Sequence, residues 1–230
     1  MTSWYMTPAM VALLRLIRER EAGAAGYNAD FRQDDRWTLT NKTFDEVRAL
    51  GRSQVTTGGA RGGKEPSSAI AAYQFITPTL DSLKRDLKLS GTEIMNEAFQ
   101  DDLAVALMNR RGHMKYLRGE MGPEAFANEL AKEWASLPVV TRIRGSTRYV
   151  NPGQSYYAGD GLNKALHDPA TVLAAVKALR DPNPLTSYVP PVAPAPPPQP
   201  DDPGPTEPEP APSIWQRIIN AFVWLFKMPS

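Results

Sequence analysis

The sequence PAMVALLRLIRERE, at positions 8–21, decides how the chain begins to fold. Thr7 precedes it as a helix N-cap, and Pro8 stands at the first helical position, where proline is favoured. At about 100° per residue, the apolar side chains of the segment fall on one arc, which comprises Met10, Leu13, Leu14 and Ile17. This spacing predicts an amphipathic helix over 8–21 that buries the arc and is ended by Gly23.

Glu21 has an unusual place on this helix. It falls near the middle of the apolar arc, whereas Glu19 falls roughly opposite the arc. One interpretation is an end-of-helix carboxylate that reaches water as the helix frays. The other is a partly buried acid with a raised pKa, which suits general acid catalysis near neutral pH. The helix by itself leaves both interpretations open.

Composition restricts the chemistry that this chain can perform. It contains no cysteine and two histidines, His113 and His167, neither in the spacing of a metal site or a catalytic triad. Disulfides and thiolate chemistry are therefore excluded. No phosphate-binding or dinucleotide-binding glycine motif occurs. We expect no metal and no cofactor, so carboxylates must perform any enzymatic chemistry. A formal net charge of +1 argues against nucleic acid as the main partner.

Helix signals continue along the chain to about residue 180. They predict helices from a Thr43–Glu46 capping box to about Leu50, from Thr77-Pro78, over 91–111, from Pro123 and near 169–179. The stretch 24–63 mixes polar, glycine-rich and β-prone pieces, and residues 37–39 (WTL) are a candidate strand. The pattern predicts an α+β fold that is predominantly helical, with a small β-hairpin region between helices.

The C-terminal part of the sequence differs in character. Twelve of the 27 residues at 186–212 are proline, mixed with acids, which predicts an extended linker after a domain over 1–185. Residues 213–230 then carry an apolar helical stripe, which comprises Ile214, Ile218, Phe222 and Leu225. We expect an amphipathic helix that lies in a membrane interface. Docking onto a protein and a short membrane anchor remain alternatives.

A second motif stands at 67–75 (SSAIAAYQF), where small residues lead into Tyr73 and Gln74. Small residues allow a close approach of the backbone, and the ring and amide can then contact a polar ligand. A buried strand with one satisfied glutamine explains this stretch about as well. Further along lie the segment 133–138 (EWASLP) and the dipeptide Gly153-Gln154.

The order and content of these motifs resemble those of the lysozyme-like superfamily of peptidoglycan glycosidases, and most of all bacteriophage endolysins of the lambda type. The resemblance covers about residues 10–160. The chain departs from the lambda-type pattern at Ala22, where those enzymes have glycine, and at Ala71-Ala72, where they have Gly-Arg. The stretch between Pro138 and Gly153 is longer here, and it is basic through Arg142, Arg144 and Arg148.

The resemblance implies a lysozyme-like fold and cleavage of the β-1,4 bond between N-acetylmuramic acid and N-acetylglucosamine, with Glu21 as the general acid. Two routes stay open. A hydrolase needs a second group, for which Asp30 is the candidate, at a Glu-to-Asp spacing similar to that of T-even phage lysozymes. A lytic transglycosylase needs no second acid, since the 6-hydroxyl of the substrate attacks. Asp30 would then be a solvated loop residue.

Six further residues are candidate substrate contacts. The expected contacts to sugar are Ser68, Tyr73, Gln74, Gln154, Tyr156 and Tyr157. For Tyr73 and Gln74 the alternative is packing behind the catalytic glutamate, and for the tyrosine pair it is packing in the core. Trp134 shares a helical stripe with Phe126 and Leu130, so we expect it in the core.

The expected biological role is host cell lysis by a monomeric phage endolysin that binds peptidoglycan glycan strands. Arg15, Arg18 and Arg20 interrupt the N-terminal apolar run, so we expect no secretory signal, synthesis in the host cytoplasm and dependence on a separate pore-forming protein. The enzyme would act at the cell wall in the periplasm, held to a membrane surface through 213–230. The alternative function is a non-catalytic peptidoglycan-binding or membrane-disrupting protein whose C-terminal helix is the effector.

Overall fold

The computed structural model describes residues 6–57, 67–160 and 163–181. Within these ranges the helices are α1 (Pro8–Glu21), α2 (Phe44–Thr57), α3 (Thr77–Asp86), α4 (Glu97–Arg110), α5 (His113–Leu117), α6 (Pro123–Ala131) and α7 (Pro169–Ala178). One small antiparallel sheet pairs β1 (Ile143–Arg144) with β2 (Tyr149–Val150). The described chain is therefore mostly helical with a small sheet, as the α+β prediction had it.

Helix α1 has the bounds that the sequence predicts. The Thr7 hydroxyl accepts a hydrogen bond from the Met10 N–H at 3.2 Å, which caps the first turn. The predicted arc is buried against the core. After the last residue of the helix, Ala22 serves as the C-cap and Gly23 takes a left-handed conformation (φ +58°), which glycine adopts without strain. The helix therefore ends where Glu21 stands.

Helix α4 forms the centre of the domain. Its buried residues lie on all sides of the helix, as expected for a helix surrounded by other elements, and they include Phe99, Leu103, Ala104, Val105, Ala106, Leu107 and Met108. The ring of Phe99 meets that of Phe44 from α2 edge-on at 6.4 Å. At the other end, α5 and α6 join through the stacked rings of Tyr116 and Phe126, 5.0 Å apart. Helix α7 packs against α1 and α6.

Several predicted element positions were wrong. Residues 37–39 form no strand, because the backbone satisfies its hydrogen bonds locally: Leu39 N–H bonds to the Trp37 carbonyl, and Thr40 N–H bonds to the Asn28 side chain. The described part of 24–63 holds no hairpin, and the sheet lies at 143–150 instead. Helix α2 continues to Thr57, and the short helix α5 was not predicted.

Backbone hydrogen bonds join the two ends of the segment 138–155 and its internal hairpin. Its hairpin pairs Ile143 with Val150 and Arg144 with Tyr149. A Cβ atom at Gly145 would meet the carbonyl oxygen of Tyr156 at 2.6 Å, so only glycine fits at this turn. Val150 is fully buried, whereas Tyr149 is 60% exposed. The hairpin thus anchors one face in the core and presents the other to solvent.

The predicted linker at 186–212 and helix at 213–230 lie outside the described residues. By its internal contacts the chain divides into a unit over Met1–Pro182 and another over Asn183–Ser230. None of the helices in the described ranges is long and apolar enough to cross a membrane.

Candidate active site

Glu21 lies at the boundary between the core and solvent. Its Oε1 accepts a hydrogen bond from the backbone N–H of Ser136 at 3.2 Å. Burial raises the pKa of the Glu21 carboxyl, and the Ser136 hydroxyl and N–H offset only part of that rise. The residue as a whole is nonetheless only partly buried. The structure therefore favours the buried-acid interpretation over a carboxylate that has escaped to water.

Glu19 shows what the opposite face of the same helix does to an acid. Its side chain is 55% exposed and pairs with Arg15 one turn earlier, at 2.6 Å. The two acids on α1 therefore differ in environment as the helical wheel predicts, although they are two residues apart. This difference makes Glu19 a natural control for Glu21.

Ser136 comes from the segment 133–138 (EWASLP), which follows α6. Trp134 and Leu137 are buried, with 2% and no exposure, which fixes the segment in the core. The core position predicted for Trp134 is confirmed. The structure thus brings the first and third motifs of the resemblance into direct contact, through Glu21 and Ser136.

The loop after α1 is held to the end of the helix by Gln33. Its Nε2 donates to the carbonyl oxygens of Arg20 and Glu21, both at 3.0 Å. The last carbonyls of a helix have no partner within the helix, so this amide serves as their side-chain cap. Gln33 itself has a positive φ of 67°, and its N–H donates to the Asp30 carbonyl at 3.0 Å. Gln33 thereby connects the Glu21 backbone to the Asp30 turn.

The Asp30 side chain is fully buried. Its Oδ1 accepts the backbone N–H groups of Arg32 at 2.7 Å and Asp34 at 3.1 Å. Its Oδ2 lies 2.9 Å from Nε of Arg36, within ion-pair distance. These contacts organise the turn and leave the carboxylate no exposed face. A catalytic role for Asp30 stays a prediction, and the alternative of a solvated loop residue is wrong, because the side chain is fully buried.

Tyr73 is a core residue that takes part in a partly buried polar cluster. Its ring packs against Trp134 at 6.3 Å, and its hydroxyl donates to Asp101 Oδ1 at 2.5 Å. Tyr27 donates to the same carboxylate at 3.0 Å and accepts from Arg18. Burial raises the pKa of Asp101, and its bonds to the two tyrosines and Arg18 partly offset this. Burial and the Asp101 charge likewise raise the pKa of Tyr73 and of Tyr27.

The side chains of Gln74 and Ser68 both form hydrogen bonds within the protein. The Gln74 Nε2 donates to the carbonyl oxygens of Asp30 at 3.0 Å and Ala71 at 3.2 Å. The Ser68 hydroxyl accepts from the Thr77 N–H at 3.0 Å, at the start of α3. The second motif is a tight turn closed by backbone bonds between Ile70 and Phe75, and not a strand. For Tyr73 and Gln74, packing behind Glu21 fits these contacts better than sugar binding.

Gln154, Tyr156 and Tyr157 form a separate group. The Gln154 Oε1 accepts from the Asn151 N–H at 2.8 Å, and Tyr157 donates to the carbonyl oxygen of Lys132 at 2.6 Å. The rings of the two tyrosines meet edge-on at 5.1 Å, and both are partly exposed. The Tyr157 hydroxyl contacts the end of α6, and none of these hydrogen bonds involves Glu21. The predicted sugar contacts of Gln154, Tyr156 and Tyr157 stay predictions.

Four residues whose hydrogen bonds join separate segments around the site were not identified from the sequence. They are Gln33, Gln100, Asp101 and Ser136. Ser136 lies within the segment 133–138 (EWASLP), and its N–H donates to Glu21. The other three act through long-range hydrogen bonds, for which the sequence carries no periodic signal. Among the described residues no three histidine, aspartate or glutamate side chains gather as metal ligands.

No protein-family model matches this chain, and neither a curated protein nor a solved structure is significantly similar to it.

Proposed function

We propose that this chain is a peptidoglycan glycosidase that cleaves the β-1,4 bond between N-acetylmuramic acid and N-acetylglucosamine, with Glu21 as the general acid. The observation that carries the proposal is the environment of Glu21: burial raises the pKa of its carboxyl group, although the residue as a whole is only partly buried. An acid that stays protonated towards neutral pH can protonate the leaving oxygen of a glycosidic bond.

The Ser136 contact supports this role in a specific way. The Ser136 N–H, at 3.2 Å, and the Ser136 hydroxyl orient the carboxyl group without stabilising its charge enough to cancel the effect of burial. Gln33 holds the backbone of the same residue, so the acid is positioned at both its main chain and its side chain.

The burial of the Asp30 carboxylate favours the lytic transglycosylase route, which needs only one carboxylate. Glu21 donates its proton to the glycosidic oxygen as the bond from C1 to that oxygen breaks. The 6-hydroxyl of the same muramic acid residue then attacks C1 and gives its proton back to Glu21. The product is a 1,6-anhydro sugar, and the acid is regenerated. Asp30, buried and engaged by two N–H groups, takes no part in these steps.

The biological role that follows is host cell lysis by a phage endolysin. In this proposal residues 213–230 hold the enzyme at a membrane surface, and the proline-rich stretch lets the domain reach the wall. Access to the wall would depend on a separate pore-forming protein.

The products of digestion test the proposal. Purified peptidoglycan sacculi are incubated with the full chain, and the soluble fragments are analysed by mass spectrometry. We expect disaccharide-peptide fragments that are lighter than the hydrolytic products by one water molecule, with anhydro-muramic acid ends. Hydrolytic fragments would replace the one-carboxylate route with a water-activating one. Absence of any soluble fragment would contradict the glycosidase function and leave the alternative, a non-catalytic or membrane-disrupting protein.

A further inference from the structure

A groove of about 400 Å³ lies between α6 and the β1–β2 hairpin. Its volume falls in the range of sites for small ligands. Three apolar side chains line it: Met121 before α6, Ala125 on α6 and Ile143 on β1. None of the residues that we assign to catalysis belongs to this lining, so the groove is a feature separate from the Glu21 carboxyl.

The walls of the groove are held together by polar contacts. The Asn128 Nδ2 donates to the Thr141 hydroxyl at 2.7 Å, and the Asn128 Oδ1 accepts from the Val140 N–H at 2.8 Å. Asn128 is buried on α6, and Thr141 and Val140 precede β1. The helix and the hairpin are therefore fixed relative to each other, and the groove exists before any ligand enters.

The charges at the groove do not balance. Lys132 forms an ion pair with Glu129 one turn earlier, and both residues line the groove. Arg144 lines it too, and its guanidinium faces the ring of Tyr149 at 5.7 Å without meeting a carboxylate in the described part of the chain. The groove thus carries one uncompensated positive charge beside its three apolar side chains.

We propose that this groove binds the carboxylate-bearing peptide substituents of the glycan strand. The inference rests on the proposed function, which makes peptidoglycan the substrate. A guanidinium donates two parallel hydrogen bonds to a carboxylate, which suits Arg144 to a peptide acid. The three apolar side chains suit the methyl and methylene groups of such a peptide and distinguish it from a simple anion.

The groove also lies within reach of the catalytic residue. Lys132 on its wall and Ser136, which contacts Glu21, are four residues apart. An extended chain covers at most about 3.6 Å per residue, so the Cα atoms of these two residues are separated by roughly 14 Å or less. A short peptide attached to a muramic acid residue near Glu21 can span a distance of that order.

The decisive comparison uses two arginines of the same hairpin. Arg142 and Arg144 both lie over the Tyr149 ring, at 5.0 and 5.7 Å, but only Arg144 lines the groove. The full chain, Arg144→Gln and Arg142→Gln are each assayed on sacculi with intact peptides and on glycan strands from which an amidase has removed them. The quantity compared is the rate on intact sacculi divided by the rate on the amidase-treated strands. We expect Arg144→Gln to lower this ratio about tenfold, which is the effect of one charge-assisted hydrogen bond.

Arg142→Gln should keep the wild-type ratio. An unchanged ratio in Arg144→Gln, or an equal fall in both variants, would overturn the proposal. Titration of the full chain with alanyl-γ-glutamyl-diaminopimelate, followed by NMR at the Met121 and Ile143 methyl groups, gives a readout that needs no cleavage. Chemical-shift changes that become smaller in Arg144→Gln support peptide binding in the groove, even if no substrate is cleaved. Absence of chemical-shift changes overturns peptide binding in the groove, even if cleavage occurs.

Discussion

The protonation of Glu21 links activity to stability. Its folded pKa is raised above the unfolded value of 4.5, so its contribution to stability is fully present below that value and is lost as pH rises through the folded pKa. Glu21→Gln, which cannot ionise, should therefore unfold at higher urea concentration than wild type at neutral pH. The difference should shrink towards pH 4. A difference independent of pH would contradict a raised pKa.

The same ionisation limits catalysis. A general acid works only while it is protonated, so the rate of wall cleavage should fall as pH rises above the raised pKa of Glu21. The descending limb should therefore lie at higher pH than ordinary glutamate ionisation would give. It is measured as initial rate against pH with purified sacculi. A descending limb near the ordinary glutamate pKa would argue for an exposed, unperturbed carboxyl.

Tyr73 offers a test of packing against sugar binding. The hydroxyl that Phe lacks is the one that donates to Asp101. Tyr73→Phe should lower the free energy of unfolding by about 1–3 kcal/mol, because a partly buried carboxylate loses a donor. It should leave the KM for peptidoglycan unchanged. A raised KM with unchanged stability would instead place the Tyr73 hydroxyl on the substrate.

Among the helices, α4 is connected to three backbone groups by one buried amide. The Gln100 Nε2 donates to the carbonyl oxygens of Met95 at 2.7 Å and Tyr27 at 3.1 Å, and its Oε1 accepts from the Ala72 N–H at 2.9 Å. Gln100→Leu should cost about 3 kcal/mol of unfolding free energy, because three backbone groups lose their partner. Urea unfolding measures this, and a cost under about 1 kcal/mol would show that the amide does not connect these segments.

Helices with local signals at both ends were predictable. For α1 the N-cap, the proline, the apolar arc and the glycine all lie within the segment itself, and its bounds were predicted correctly. Helix α4 begins later than predicted, at Glu97, with Asn96 as its cap. Ile94 is 45% exposed, and the neighbouring backbone pairs with the start of α2 through Phe44 N–H and Glu93 O at 2.8 Å. That pairing is a long-range contact.

The sheet and part of the site escaped prediction for related reasons. Strands β1 and β2 have two residues each, too few for an alternating pattern to be recognised. Glu21 was identified because a carboxylate on an apolar arc is visible in the sequence. The partners of Asp30 were not, since the turn depends on N–H groups and a guanidinium that only the fold brings together.

At the scale of the whole molecule, we expect the domain to cleave the cell wall and residues 213–230 to contact a membrane. If residues 213–230 serve only as a membrane contact, a chain that ends at residue 185 should keep the wild-type melting temperature and the rate on purified sacculi. It should lose co-sedimentation with anionic vesicles. Vesicle binding by the shortened chain would assign the membrane contact to the domain, and loss of cleavage would make the tail part of the enzyme.

The comparison of the two acids on α1 tests the central claim most directly. Glu21→Gln and Glu19→Gln replace the same ionisable group on the same helix, one at the buried carboxyl and one at the exposed partner of Arg15. The rate at which soluble fragments leave purified sacculi should fall at least about 100-fold in Glu21→Gln, the usual contribution of a general acid. It should stay at the wild-type value in Glu19→Gln. A wild-type rate in Glu21→Gln would contradict the assignment of Glu21 as the catalytic acid.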